Sequence, residues 1–252
     1  MTDQSRRKLI KTGLAAATGF VGLGAGVGLA KRYGLIPPDH GGLWGIGETL
    51  NYASYRLLTN HSMAREFTRS EISSRPVPNE MAPLGEDFLK LQAGGFADWR
   101  LSVEGMVDRP GAFSLAQLKS YPSRTQITQL ACEEGWSYVA EWTGVPLSHV
   151  LEAAGIQSRA RYVVYYSIDP GWWDSIDMGD AMHPQTFLTY GMNNADIPVP
   201  SGGPLRLRVP RQLGYKSVKF INRITLTDTL KNIGKGLGSA SPEGGYSWYA
   251  GI

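Results

Sequence analysis

A single cysteine, Cys132, stands in a chain of 252 residues. With only one thiol there is no intrachain disulfide and no multi-cysteine zinc or iron–sulfur site. A C-x-x-C-H haem attachment is missing as well, so any electrons the protein uses are supplied from outside the chain. No dinucleotide fingerprint is present. Gly22, Gly24, Gly26 and Gly28 recur every second residue, and the third position of G-x-G-x-x-G falls on Val27 or Leu29. Without a G-x-x-x-x-G-K-[ST] loop either, nicotinamide and nucleoside-triphosphate chemistry are disfavoured. Excess charge is small, at +3, and four of the 25 basic residues but one of the 22 acidic ones lie in the first 30 positions. The remainder is neutral, so nucleic-acid binding, which needs a basic surface, loses its main support. What is present, 42% hydrophobic and 19% charged residues, is the balance of a globular domain with a sizeable core.

The amino terminus reads Ser5-Arg6-Arg7-Lys8-Leu9-Ile10-Lys11 and runs into the uncharged residues 12–30, ending Gly28-Leu29-Ala30. Paired arginines before two apolar residues match a twin-arginine export signal, with small residues where a signal peptidase cuts. The expectation is a twin-arginine signal peptide over residues 1–30, use of the export machinery, and a periplasmic location. An uncleaved anchor is the alternative, since the uncharged stretch is just long enough to span a bilayer. Twin-arginine export carries folded proteins, so it suits an enzyme loaded with its cofactor in the cytoplasm.

Residues 31–98 are broken by Pro37-Pro38, Gly41-Gly42, Pro76, Pro78 and Pro83, and only residues 47–67 look helical. They read as an extended amino-terminal arm. The pattern changes at Trp99: residues 99–107 alternate apolar and polar as a half-buried strand does, and Arg109-Pro110-Gly111 supplies a turn. Ser114 is placed to cap a short helix over 115–119. Residues 124–130 form a strand candidate leading into Cys132. Another short helix is expected over 146–154, stopped by Gly155. Strands are expected over 162–168, 205–209 and 218–227. Residues 99–252 therefore read as an α+β domain of mixed β-sheets, short helices and many loops.

Several blocks carry a resemblance. The chain reads Ala131-Cys132-Glu133-Glu134-Gly135-Trp136-Ser137, then Glu141-Trp142-Thr143-Gly144-Val145-Pro146-Leu147. Further on come residues 180–186 (DAMHPQT), residues 203–210 (GPLRLRVP) and Gly214-Tyr215-Lys216-Ser217-Val218-Lys219. Together they resemble the molybdopterin-binding domain of the sulfite oxidase family, over roughly residues 95–230. The similarity is greatest to its bacterial periplasmic branch, which includes the catalytic subunit of a methionine-sulfoxide reductase system.

The resemblance implies a Mo-molybdopterin cofactor with Cys132 as its protein ligand to the metal. A soft thiolate suits a high-valent metal, and the metal keeps the sulfur deprotonated. Read without the resemblance, a lone cysteine is a small buried hydrophobe. The resemblance matches Arg206 to an arginine on the pterin phosphate. It matches Ser217, Val218 and Lys219 to a cofactor-holding segment, and Ser167 to a hydroxyl position. Ser201 stands where relatives carry histidine or asparagine, and Asn79 is the candidate from the arm, with Asn60 and His61 as rivals. Without the neighbouring blocks Arg206 and Lys219 read as solvated charges on strands.

Sulfite-oxidising relatives line their pocket with arginines, one of them soon after the cysteine. Here Glu133 and Glu134 occupy that stretch and oppose an approaching dianion unless they point away, while Arg208 and Arg211 could restore positive potential. Glu134 and Trp136 match a glutamate and a tryptophan of the reductase branch, which assigns Cys132, Glu134 and Trp136 to the catalytic site. The bland alternatives are a surface carboxylate for Glu134 and a core ring for Trp136. A neutral, dipolar small-molecule substrate such as a sulfoxide or N-oxide fits, with Trp136 or Tyr138 as an apolar wall. The implied activity is oxygen-atom transfer by an exported oxidoreductase, served by a membrane-bound haem or cytochrome redox partner, with Trp172-Trp173 as one docking candidate. The alternatives are a sulfite or organosulfur dehydrogenase passing electrons to a cytochrome, and a metal-free secreted binding module. His183, in a turn expected to lead into a helix, reads as structural.

Overall fold

The computed structural model describes residues 30, 33–41, 43–77, 85–169 and 171–252. The signal-peptide reading and Asn79 lie outside these residues. The chain divides into two compact units, one running to Ser62 with Ser247–Tyr249, the other Met63–Tyr246 with Ala250–Ile252.

In the first unit, helix α1 (Gly45–Leu58) turns Gly45, Tyr52 and Arg56 inward. Tyr52 meets Trp248 and Tyr249 edge-on at centroid distances of 5.6 and 5.3 Å. The Arg56 guanidinium lies 4.8 Å from the Tyr249 ring centre. The Ser247 hydroxyl donates to Glu48 Oε1 at 2.9 Å, so the acidic residue of the helix also faces inward. The helix expected as far as residue 67 stops at Leu58. Farther along, in the second unit, Phe67 donates its N–H to Ile127 O and Glu66 bridges Thr128, so this stretch extends a sheet edge instead.

The second unit opens with α2 (Glu86–Ala93), which sequence patterning did not indicate, and then builds two five-stranded sheets. One has the order β2 (Gly111–Ser114), β1 (Arg100–Gly105), β10 (Ile221–Thr227), β5 (Tyr162–Ser167), β6 (Trp173–Asp177). The pairing of β1 with β10 is parallel and the others are antiparallel. The other sheet runs β3 (Arg124–Ala131), β4 (Ser137–Pro146), β7 (Phe187–Met192), β8 (Ala195–Asp196), with β9 (Arg206–Arg208) also on β7. Short helices α3 (Leu115–Ser120), α4 (Leu147–Ala154), α5 (Met178–Ala181) and α6 (Ala240–Glu243) fill the connections.

Local chemistry explains the boundaries. Ser114 Oγ accepts from Gln117 N, and the Gln117 side chain accepts from Ser114 N, a reciprocal cap for α3. Gly155 takes a left-handed φ of 77° to end α4. At Gly144 a Cβ would lie 2.2 Å from Leu188 O, so β4 and β7 can approach closely there only through glycine. The main core joins Leu101, Val103, Val163, Tyr165, Ile224 and Leu226 to Val145, Leu147, Val150 and Leu188. A second cluster, Leu130, Tyr138, Ala140, Trp142, Phe187, Met192 and Ile197, with Trp136 against it, gives the site a rigid apolar backing. His183 is buried and its Nδ1 accepts from Gln185 N; it follows α5 and leads into β7, a strand where a helix was expected.

Candidate active site

Strands β3 and β4 are paired from Arg124↔Gly144 to Ala131↔Ser137, which makes residues 132–136 a hairpin loop. Cys132 is its first residue. The Cys132 N–H donates to Trp136 O at 2.9 Å, and the Gly135 N–H returns to Cys132 O at 3.1 Å. Gly135 sits at φ 93°, where a side chain would be strained. The thiol is thus mounted on a ladder end whose register fixes its position. Behind it, a Cβ on Gly214 would lie 3.1 Å from Ala131 O and 3.6 Å from the Cys132 Cα, so the segment carrying Ser217 and Lys219 passes tightly under the hairpin.

Cys132 opens into a cavity of about 500 Å³. Glu133, Glu134, Trp136 and Tyr138 line it from the hairpin, Ser167, Asp169 and Trp172 from the end of β5, and Arg206, Ser217, Val218 and Lys219 from the β9 region. Nine sequence candidates are therefore brought to one place: Cys132, Glu134, Trp136, Ser167, Arg206, Ser217, Val218, Lys219 and the wall residue Tyr138. Ser201 is buried but is not among the lining residues; its carbonyl accepts from Arg206 Nη1 at 3.0 Å. Arg208 and Arg211 do not line the cavity either. Arg211 pairs with Asp180 at 3.3 Å, and Arg208 lies over the Trp142 ring at 4.5 Å, so neither offers its charge to a substrate. Val77, Asp169, Tyr215 and Tyr246 also line the cavity and were missed; of these only Tyr215 lies in a quoted block of resemblance, where it was not singled out.

Electrostatics divide the cavity into an acidic and a basic side. Glu133 Oε2 is 3.3 Å and Glu134 Oε2 3.8 Å from Cys132 Sγ, so both carboxylates point at the thiol rather than away. Trp136 Nε1 pins Glu134 by donating to Oε2 at 2.8 Å. Burial, with these carboxylates adding to it, pushes the thiol up to about 11. On the basic side, Arg206 Nε donates to Ser217 O at 2.9 Å, and Lys219 Nζ to Pro200 O at 2.7 Å. Burial lowers Arg206, takes Arg208 down to about 9, and takes Lys219 down to about 8, the last two with added repulsion from Arg206. At Gly202, φ 112°, a Cβ would lie 3.0 Å from Lys219 Cγ and 3.2 Å from Arg206 Cβ, so glycine is what leaves room for these two side chains there.

The residues present fit a molybdopterin. Cys132 supplies one soft donor, and among the described residues no cluster of three or more His, Cys, Asp or Glu competes for a metal. Buried cations need a counter-charge, yet neither Arg206 nor Arg208 forms an ion pair among the described residues. Arg208 Nε is buried without a hydrogen-bond partner. A phosphate at Arg206 and Lys219 would supply the anion that Arg206 lacks.

Residues 90–232 match the oxidoreductase molybdopterin binding domain. The chain belongs to this family. It is 35% identical over 178 residues to a putative protein-methionine-sulfoxide reductase subunit, YedZ1, of Azospira oryzae, covering 71% of this chain and 64% of that protein. It is 37% identical over 147 residues to the protein-methionine-sulfoxide reductase catalytic subunit MsrP of Xanthomonas campestris, covering 52% of this chain and 46% of that one. The chain thus spans less than two thirds of these relatives. The sulfane dehydrogenase SoxCD of Paracoccus pantotrophus superposes with a TM-score of 0.52 at 21% identity, over 68% of this chain and 46% of that one, which shows the shared fold. The molybdopterin-binding fold is thereby the sulfite-oxidase type, and all the residues lining the cavity at Cys132 except Val77 and Tyr246 fall within the matched stretch.

A smaller cavity of about 380 Å³ adjoins the first and shares Ser167, Gly171 and Trp172 with it. Its floor is a cross-strand row, Ser102–Arg223–Tyr166–Trp173, spanning β1, β10, β5 and β6. The Arg223 guanidinium lies 3.9 Å over Tyr166, which stacks with Trp173 at 6.3 Å. Trp172 is exposed at the ridge between the two cavities.

Proposed function

We propose that this protein is an exported molybdenum-cofactor oxidoreductase that reduces a neutral, dipolar sulfoxide or N-oxide. The observation that carries the substrate class is the pair of carboxylates facing Cys132 Sγ at 3.3 and 3.8 Å. Their charge repels a dianion such as sulfite but tolerates a substrate without net charge. The names of the YedZ1 and MsrP relatives support the same class.

Reducing one S=O bond consumes two electrons and two protons and releases the sulfide and water. The cofactor, when bound, supplies the oxygen-atom transfer. Cys132 would hold the metal, and Arg206, Lys219, Ser217, Val218 and Ser167 the pterin and its phosphate. Trp136 and Tyr138, stacked at 6.1 Å, give the apolar methyl or alkyl groups of the substrate a flat wall. Glu134 is exposed to solvent and anchored through Oε2, which leaves Oε1 to carry a proton between water and the site.

Electrons come from a haem or cytochrome partner at the membrane. Trp172, exposed beside the cavity, supports docking at that ridge. The Arg6-Arg7 signal supports export to the periplasm. The test of direction is to assay metal-loaded protein with sulfoxides plus reduced viologen, and with sulfite plus an electron acceptor. Sulfoxide turnover is expected; turnover of sulfite alone overturns the proposal. Protein from a cofactor-competent host that holds no near-stoichiometric molybdenum would leave only the binding-module reading.

A further inference from the structure

Helix α1 is amphipathic in the inverted sense. Its charged residues face inward: Arg56 is buried under aromatic rings, and Glu48 accepts from Ser247. Its outward positions carry no charge and are mainly apolar. Ile46, Leu50 and the half-buried Leu57 follow the i, i+4, i+11 spacing of one helix face, Leu58 flanks it beyond Ser54, and Leu43 stands in the turn just before the helix. Leu43 is 91% exposed, Ile46 81%, Leu50 64% and Leu58 69%. Trp44, at the amino-terminal edge of the helix, is 75% exposed. Apolar residues scattered singly on a surface need no explanation, but a charge-free apolar face on a helix does.

The sequence just upstream indicates what covers it. Residues 12–30 are uncharged over a bilayer-spanning length and are followed by Lys31-Arg32, the sequence pattern of the uncleaved-anchor alternative, on which this inference rests. Gly45 follows Ala30 by a tether of roughly 50 Å at most when fully extended. The helix itself, at 14 residues, is of interfacial rather than spanning length. We propose that α1 is an interfacial helix whose outward face, Ile46, Leu50, Leu57 and Leu58, lies in the headgroup–acyl boundary of a lipid bilayer, with Leu43 and Trp44 at its amino-terminal edge. Because that face carries no charge, binding to neutral lipid suffices and anionic headgroups are not required.

The test uses the full chain reconstituted into phosphatidylcholine vesicles with bromine on the upper acyl carbons. The Trp44 signal is isolated as the difference between wild type and a Trp44→Phe variant. Quenching of that signal by at least about two-fold over unbrominated vesicles is expected for a ring at the acyl boundary. The Ile46→Glu, Leu50→Glu double variant should fold as wild type by its thermal melt, because both positions are exposed, and should lose the quenching. Trp44 that is not quenched at any bromine depth, or quenching the double variant leaves intact, overturns the proposal. A dimer in lipid-free solution that the double variant abolishes overturns it in favour of a second copy of the chain. None of these readouts involves redox turnover, so failure here leaves the functional proposal standing.

Discussion

Lys216 Nζ lies 2.6 Å from Asp174 Oδ1, and both side chains are fully buried. The lysine also donates to Ser175 O at 3.0 Å, and the second Asp174 oxygen accepts from Ser241 Oγ at 3.1 Å. Lys216 stands immediately before Ser217, so the pair ties the cavity segment to β6 and to α6. Replacing one member leaves the other charge buried without its partner. The Lys216→Met variant is expected to lose about 3–5 kcal/mol of stability in chemical denaturation, and Lys216→Met with Asp174→Asn to recover part of it. Equal losses in the single and double variants would show that the two residues do not act as a pair.

Cys132→Ala removes one sulfur from a loop whose backbone bonds do not involve the side chain. The variant is expected to fold with a loss of about 1 kcal/mol, and to retain less than a tenth of the molybdenum by elemental analysis. Loss of folding in this variant would assign the thiol to the core instead.

Arg206 is held by Ser217 O and Ser201 O with its charge facing the cavity. Arg206→Gln deletes that charge but keeps polar reach. Losing a charge-assisted phosphate contact predicts roughly 10- to 100-fold weaker pterin retention, read by fluorescence of the oxidised pterin after gel filtration. Retention equal to wild type would place the phosphate elsewhere.

In cofactor-free protein the thiol at about 11 is protonated at neutral pH. Alkylation of Cys132 is therefore expected to be slow near pH 8 and to climb about tenfold per pH unit towards 11. Glu133→Gln with Glu134→Gln removes two carboxylates from beside the sulfur and should shift that profile to lower pH. An unshifted profile would mean the carboxylates do not act on the thiol.

Lys219 is displaced in the opposite sense, from 10.5 down to about 8 by burial and by Arg206. Between those values the unfolded chain holds a proton that the folded chain has shed, so stability of cofactor-free protein rises with pH across that window. The Cys132 shift has the contrary sign, costing stability between pH 9 and about 11. Subtracting melts of Lys219→Met from those of wild type isolates the lysine, and the difference should climb from pH 8 to 10.5. A flat difference would show that the amine is not displaced.

Local signals read well from the sequence where one residue settles the matter. The Ser114 cap, the Gly155 stop and the strand running into Cys132 all have such a residue. Strand β7 escaped because it is buried on both faces: residues 187–192 are all buried, so the alternation that marks a half-exposed strand is absent. Strand β2 was read as part of a turn because it is short and lies at a sheet edge. At the site, blocks of resemblance brought together Cys132, Arg206 and Ser217–Lys219 across wide sequence gaps. They could not show that Ser201 offers only its carbonyl to Arg206, nor that Arg208 and Arg211 are occupied elsewhere. Those outcomes depend on the direction in which each group points once the chain has folded, which residue identity alone does not set.

The parallel pairing of β1 with β10 constrains the order of assembly. Strand β10 sits between β1 and β5, so the middle of that sheet stays open until the ribosome has released residues 221–227. Residues 201–219, which supply the basic wall, lead directly into that last strand. A nascent chain therefore presents the cysteine hairpin long before it presents the basic wall, and a ligand could be held from both sides of the cavity only once residues 201–219 have emerged.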